Sequence, residues 1–214
     1  KIEEVALDGR RTIQRLQDFT HVSSHSQFGT VSLNEIVEKA IDSTRPAWKD
    51  IAQRHGITIN LRTELAQLPL IDGDFDELKE AFVNIIINAV DALHQGGNIL
   101  IRTYNEDEKA CLCITDDGIG MDETTKNRLF FPFFSTKPKK GSGMGLAIVY
   151  GILFRHQADI SVESSLGNGA SFIFKFNPTK KTIQEITSPI KPTESKGLSI
   201  LLVDDDVNLL DVVF

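Results

Sequence analysis

Glu80-Ala-Phe-Val-Asn84-Ile-Ile-Ile-Asn88-Ala-Val-Asp91 is the stretch from which the fold of this chain is read. Its polar residues Glu80, Asn84, Asn88 and Asp91 recur at intervals of four, four and three. That spacing stacks them along one face of a helix, while Phe82, Val83, Ile85, Ile86, Ile87 and Val90 fill the rest. A helix this apolar is expected to be largely buried. Its polar stripe then needs partners, because a buried carboxylate or carboxamide left unpaired costs roughly 1 to 3 kcal/mol. The stripe should face a ligand, a metal or a wet cleft, or else a neighbouring loop that satisfies it.

Three more pieces lie downstream. Lys109-Ala-Cys-Leu-Cys-Ile-Thr115 alternates like the two faces of a strand and leads into Asp116-Asp-Gly118-Ile-Gly120. A carboxylate leaving a strand end, followed by glycines at alternate positions, lets backbone approach a flat ligand while Asp116 accepts a hydrogen bond from it. Alone, the same residues make a turn. Phe130-Phe-Pro132-Phe-Phe134-Ser-Thr-Lys137 comes next, and then Gly141-Ser-Gly143-Met-Gly145 runs into Leu146-Ala-Ile-Val-Tyr150. The glycine loop feeds a helix N-terminus, where N–H groups and the dipole favour phosphate. It is neither the Gly-x-Gly-x-x-Gly dinucleotide pattern nor a P-loop.

In this order and spacing the four pieces resemble the catalytic ATP-binding domain of sensor histidine kinases, within the wider group that includes gyrase, Hsp90 and MutL. The resemblance covers roughly residues 32–178, and the phenylalanine segment favours the kinase branch. It implies ATP and Mg2+ as ligands. By resemblance, Asp116 meets the adenine amino group, with Gly118, Gly120 and Met121 beside it. Asn84 holds the magnesium bridging the phosphates, a role suited to a hard neutral oxygen. Asn88 and Asp91 complete that helix's share, and Gly141, Ser142, Gly143, Met144, Gly145 and Leu146 surround the phosphate chain. Lys137 is placed to reach the phosphates, with Lys139 and Lys140 competing, and Ser171 to add a hydrogen bond to the base. Glu80 either orients or deprotonates an attacking group, or makes a structural pairing. Phe130, Phe133 and Phe134 are expected to pack under a mobile lid between Met121 and Gly143 rather than touch nucleotide. Two positions depart from the pattern: Gln157-Ala158 stands where a glycine pair often follows the histidine, and Ala170 where threonine is common.

Composition agrees with this reading. A chain of 214 residues holds one domain of about 150 residues with additions at its ends. Its apolar share of 41% supports a real core, and a formal charge of -7 gives no basic footprint for nucleic acid. No apolar run reaches the roughly 18 residues of a membrane span, and no charged-then-apolar leader opens the chain. A soluble, cytoplasmic protein is expected, with an upstream membrane anchor left open. Cys111 and Cys113 read as reduced packing residues, two being too few for a zinc site.

The expected fold is α+β: a two-layer sandwich in which a mixed sheet is covered on one face by helices. Residues 1–26 carry apolar positions at helical spacing, and by resemblance form the second helix of a dimerisation and phosphoacceptor hairpin, a route to a homodimer. None of the five histidines has the following acid and later proline of the acceptor, which is expected upstream of Lys1. The catalytic domain spans 31–178. In it Ser32-Leu-Asn-Glu35 caps a helix running towards Arg54 that Pro46 kinks or restarts, and residues 57–61 and 68–71 are extended. Asp74 caps the asparagine helix. Strands follow at 98–104, 109–115, 159–164 and 170–176. Residues 179–196 read as a linker. Residues 197–214 resemble the first strand of a response-regulator receiver, where Asp204 and Asp205 match magnesium-holding acids, so a receiver in cis or trans joins the histidine-bearing hairpin and ATP as expected partners. The implied function is transfer of the ATP γ-phosphoryl group to histidine; the alternatives are an ATPase of the gyrase and Hsp90 type, or a nucleotide-binding module without turnover.

Overall fold

The computed structural model describes residues 28–51, 56–136 and 143–179. The helix expected over 1–26, the linker beyond Thr179 and the strand expected in 197–214 lie outside the described residues, as do Lys137, Lys139, Lys140, Gly141 and Ser142.

The chain passes through β1 (Gly29–Val31) into α1 (Leu33–Arg45), where the Ser32 side chain accepts from the Glu35 N–H as a helix cap should. The α-helical part of the run expected towards Arg54 ends at Arg45, and the restart at Pro46 is described as far as Ile51. Pro46 has no N–H for the ladder, and the chain continues as a wider π-type turn over Pro46–Ile51. After β2 (Ile59–Leu65) and β3 (Ile71–Gly73) comes the long α2 (Phe75–Ala92). Its N-cap is Asp74, whose carboxylate accepts from the N–H groups of Asp76 and Glu77, both at 3.0 Å. β4 (Gly97–Glu106) and β5 (Lys109–Asp116) form a hairpin, and α3 (Glu123–Arg128) follows. α4 (Gly145–Arg155), β6 (Asp159–Ser164) and β7 (Ala170–Phe176) complete the order.

The main sheet runs β2-β4-β5-β7-β6, with β2 parallel to β4 and every other pair antiparallel. This is the mixed sheet of an α+β fold, as the separate runs of strands and helices required. Burial alternates along β7: Ala170, Phe172, Phe174 and Phe176 enter the core, and Ser171, Ile173 and Lys175 take the other face. From the helical layer Phe82 meets Phe174 and Phe176 edge-on, with ring centroids 5.6 and 6.3 Å away. Such aromatic pairs add about 0.5 to 1.5 kcal/mol each beyond their buried area. One buried polar group tests the packing. Thr103 of β4 is satisfied because its hydroxyl donates to Asn34 Oδ1 at 2.9 Å and accepts from the Ala66 N–H at 3.0 Å.

A smaller ladder sits beside the sheet. β1 pairs antiparallel with β3, Val31 opposite Ile71. Pro178 bridges the same Ile71, and the Thr179 N–H donates to the Leu70 carbonyl at 2.8 Å. β3 then hands the chain to the Asp74 cap of α2.

Candidate nucleotide site

The polar stripe of α2 faces open space. Glu80, Asn84, Asn88 and Asp91 all line one cavity of about 540 Å³. The Asn84 amide donates from Nδ2 to the Glu80 carbonyl one turn back, at 3.1 Å, which turns Oδ1 outward. That oxygen lies 3.2 Å from where a Cβ on Gly145 would stand. The sequence therefore sets a neutral carbonyl oxygen at the first residue of α4.

Opposite the stripe lies the end of β5. Asp116 is 4% exposed and lines the cavity, and its Oδ1 accepts the Gly118 N–H at 2.9 Å. The loop after it is wedged on two sides. The Ile119 N–H donates to the Ala92 carbonyl at the end of α2, and the Met121 N–H to Ser164 Oγ at the end of β6, at 3.3 and 2.9 Å. Gly120 has φ +64°, and a Cβ there would run into the Ser165 carbonyl, so only glycine lets the loop close on the β6–β7 turn. Gly120 and Met121 line the cavity. Gly118 does not. Its part is to donate to the Asp116 carboxylate from behind, which fixes the carboxylate's orientation.

Asp117 points elsewhere. It accepts from the backbone N–H and the side-chain amide of Asn98, both at 2.7 Å. Those two hydrogen bonds hold its carboxyl below the ordinary range.

The third side is the start of α4. Gly143, Met144, Gly145 and Leu146 all line the cavity, and the cap position, Met144, carries no side-chain acceptor for the first N–H groups of the helix. An N-terminus of this kind receives anions. Gly143 has φ +68°, and a Cβ would approach the Phe133 carbonyl carbon to 2.5 Å, so the glycine is what lets the turn lie against the phenylalanine segment.

Three expectations need correction. Ser171 does not line the cavity: the period-two alternation of β7 turns it to the far face, where its hydroxyl is 2.9 Å from Thr115 Oγ1. Its neighbours Ala170 and Phe172 form the wall instead. Phe134, expected under the lid, lines the cavity and lies beneath Arg128, whose guanidinium carbon is 4.6 Å from the ring centroid. Phe133 is 57% exposed rather than packed. Phe130 does pack, against Tyr150 at 5.5 Å between centroids. Thr125 and Leu129 of the α3 region also line the cavity, and nothing in their local sequence marks them. The composite is a pocket with an acid on one wall, apolar surface around it, carboxamides along one side and a helix N-terminus at the far end.

Residues 73–180 match the family described as histidine kinase-, DNA gyrase B- and HSP90-like ATPase. The chain is 37% identical over 171 residues to the signal transduction histidine-protein kinase AtoS of Escherichia coli strain K12, an alignment covering 78% of this chain and 27% of AtoS. It is 32% identical over 157 residues to the phosphate regulon sensor protein PhoR of Pseudomonas aeruginosa, covering 70% and 35% respectively. The catalytic domain of histidine kinase ThkA is similar in structure with a TM-score of 0.61 at 25% identity, covering 72% of this chain and 97% of that one. The chain thus spans little more than a quarter of the length of AtoS.

Proposed function

The chain belongs to the histidine kinase-, DNA gyrase B- and HSP90-like ATPase family, as the catalytic ATP-binding domain of a sensor histidine kinase, and we propose that its cavity binds ATP with Mg2+ for transfer of the γ-phosphoryl group to a histidine on a dimerisation hairpin. One observation carries this reading: the α2 stripe, Asp116 and the Gly143–Leu146 turn converge on a single cavity although they are far apart in sequence.

Asp116 accepts the adenine amino group at the closed end, held in place by the Gly118 N–H. Ala170, Phe172 and Met121 give the base its apolar walls. Asn88 and the first N–H groups of α4 serve the phosphate end, with Lys137, Gly141 and Ser142 assigned there by sequence alone, while Asp91 lies next to Ala92 towards the base. Among the described residues no cluster of three or more His, Cys, Asp or Glu suits a metal. Asn84 Oδ1 is the protein oxygen that would hold magnesium arriving with the triphosphate. The chemistry that magnesium would supply there is neutralisation of phosphate charge. Glu80, exposed at the rim, orients the incoming imidazole. The acceptor nitrogen bonds to the γ-phosphorus as the bond to the β,γ-bridging oxygen breaks, and ADP leaves. His156 is no candidate acceptor, being buried with both ring nitrogens engaged.

Residues 1–26 are assigned as the hairpin's second helix and the route to a homodimer, 31–178 as the catalytic domain, and 179–196 as a linker. Residues 197–214 are assigned as the opening strand of a receiver, on the apolar run ending at Asp204 and Asp205, which makes the parent protein a hybrid kinase. A cytoplasmic setting suits this chemistry. Among the described residues no helix is long and apolar enough to cross a membrane.

The test is to mix the chain with labelled Mg-ATP and a separate hairpin bearing the histidine. Label on that histidine supports the proposal. Free phosphate without labelled histidine favours a conformational ATPase, and failure to bind Mg-ATP removes the nucleotide reading.

A further inference from the structure

His156, just past α4, is 7% exposed and uses both ring nitrogens. Nε2 accepts the Asp74 N–H at 2.9 Å, so Nδ1 carries the proton and donates to the Ile152 carbonyl at 2.7 Å. Asp74 is the residue whose carboxylate caps α2. Thus the carboxyl end of α4 is fastened to the amino end of α2. The same two helices meet again at the cavity, where Asn84 faces Gly145, about 15 Å further along α2.

The surroundings of the ring leave little slack. Phe28 covers it at 4.6 Å between centroids, and a Cβ on Gly73 of β3 would stand 2.8 Å from its Cδ2. Three charged groups face it. Glu77 of α2 places Oε2 3.9 Å from Nδ1, Arg155 of α4 pairs with Glu77 at 3.1 Å, and the Asp74 carboxylate lies at the junction of β3 and α2. Burial lowers the affinity of the ring for a second proton, and Arg155 works the same way; the Ile152 carbonyl, Glu77 and Asp74 oppose them.

We propose that His156 is a positioning residue for the nucleotide site: the neutral imidazole ties α2 to α4, and a proton gained at Nε2 releases the tie by setting one donor against the Asp74 N–H. The proposal rests on the cavity being a nucleotide site. When the tie opens, the fraction of molecules with Asn84 and Gly145 in register falls, and apparent affinity falls with that fraction. Neutral His156 is favoured in the folded state, so the tie holds down through the ordinary histidine range and is lost only as pH falls through the lower, folded value.

The experiment measures Mg-ATP affinity of the whole chain from about pH 8 to about pH 5.5, for the natural protein, H156Q and H156A. Glutamine offers a non-titrating acceptor for the Asp74 N–H, whereas alanine removes the tie at every pH. The expected result is a loss of affinity on acidification about tenfold greater in the natural protein than in H156Q, the factor for one hydrogen bond exchanged for a donor–donor contact. Because both proteins meet the same titrating ATP, the difference reports His156. Parallel profiles overturn the proposal. Hydrogen exchange at the Asp74 amide without nucleotide, corrected for intrinsic rate, decides the same question independently: protection lost on acidification only in the natural protein supports the tie, and equal loss in H156Q overturns it. Absence of Mg-ATP binding at any pH counts against the nucleotide reading, with the exchange measurement still judging the tie.

Discussion

Gly145 is pressed against Asn84: a methyl group at position 145 would stand 3.2 Å from the asparagine Oδ1 and 3.8 Å from its Cγ. Gly145→Ala therefore moves the oxygen assigned to magnesium by a few tenths of an ångström while favouring the helix it begins. Mg-ATP affinity is expected to fall by about 1 kcal/mol, roughly fivefold, with no loss of melting temperature. Titration calorimetry alongside a melting curve separates the two effects, and unchanged affinity would place the metal elsewhere.

Asp116→Asn keeps an acceptor for the Gly118 N–H and so preserves the loop. It also presents an amide donor to an adenine that itself donates. Binding of Mg-ATP is expected to weaken by at least about 2 kcal/mol, and the ligand-induced melting shift to vanish. A full shift in the variant argues that the base lies along another wall.

Ser171→Ala is the contrasting case. The hydroxyl touches Thr115 on the far face of the sheet, so its loss is expected to cost at most about 1 kcal/mol of stability and to leave nucleotide affinity unchanged. A clear drop in affinity would mean that β7 presents its other face to the ligand.

Gln157→Gly should raise stability. α4 ends with the Ala158 N–H donating to the Leu153 carbonyl at 3.0 Å and the Gln157 N–H to the Phe154 carbonyl at 3.1 Å, which puts Gln157 at φ +50°. This helix ending favours glycine, and a side chain there costs about 1 kcal/mol. Relief of that cost is expected to raise the melting temperature by about 2 to 4 °C, measured by calorimetry.

Asp117 supplies an acid-side signature. Its folded carboxyl sits below the ordinary value of 3.8 because of the two hydrogen bonds from Asn98. The folded state therefore favours the charged form, and the associated stability is present above that value and lost as pH falls through the lower, folded one. Asn98→Ala removes the side-chain donor, so the Asp117 titration followed by carboxyl NMR should move up towards the ordinary range. No movement would assign the shift to the backbone N–H alone.

What was legible in the sequence was what local spacing encodes. The four-four-three stripe lies on one side of α2, and Asp116 leaves a strand end as alternation required. Thr125, Leu129 and Phe172 escaped because they reach the cavity only through packing of segments that carry no motif of their own. Ser171 lies off the cavity for a different reason: the hydroxyl drew attention, while period-two alternation along residues 170–176 puts Ala170 and Phe172 on the core face. The turn over Pro46–Ile51 shows the limit of a breaker signal, since proline fixes where a regular helix must stop and not what replaces it.

The strand β3 is three residues long, yet the polypeptide arriving through β1 and the polypeptide departing at Pro178 and Thr179 both fasten to it. Entrance and exit of the folded unit are therefore neighbours, so it can be spliced between other segments without its interior being rethreaded. A pull on the amino end is first borne at Gly73, opposite Gly29, and a pull on the carboxyl end at Leu70 and Ile71, all within a few residues of the helix that holds the asparagines. Mechanical load from flanking parts of a longer protein would thus be delivered at one spot, next to the chemistry.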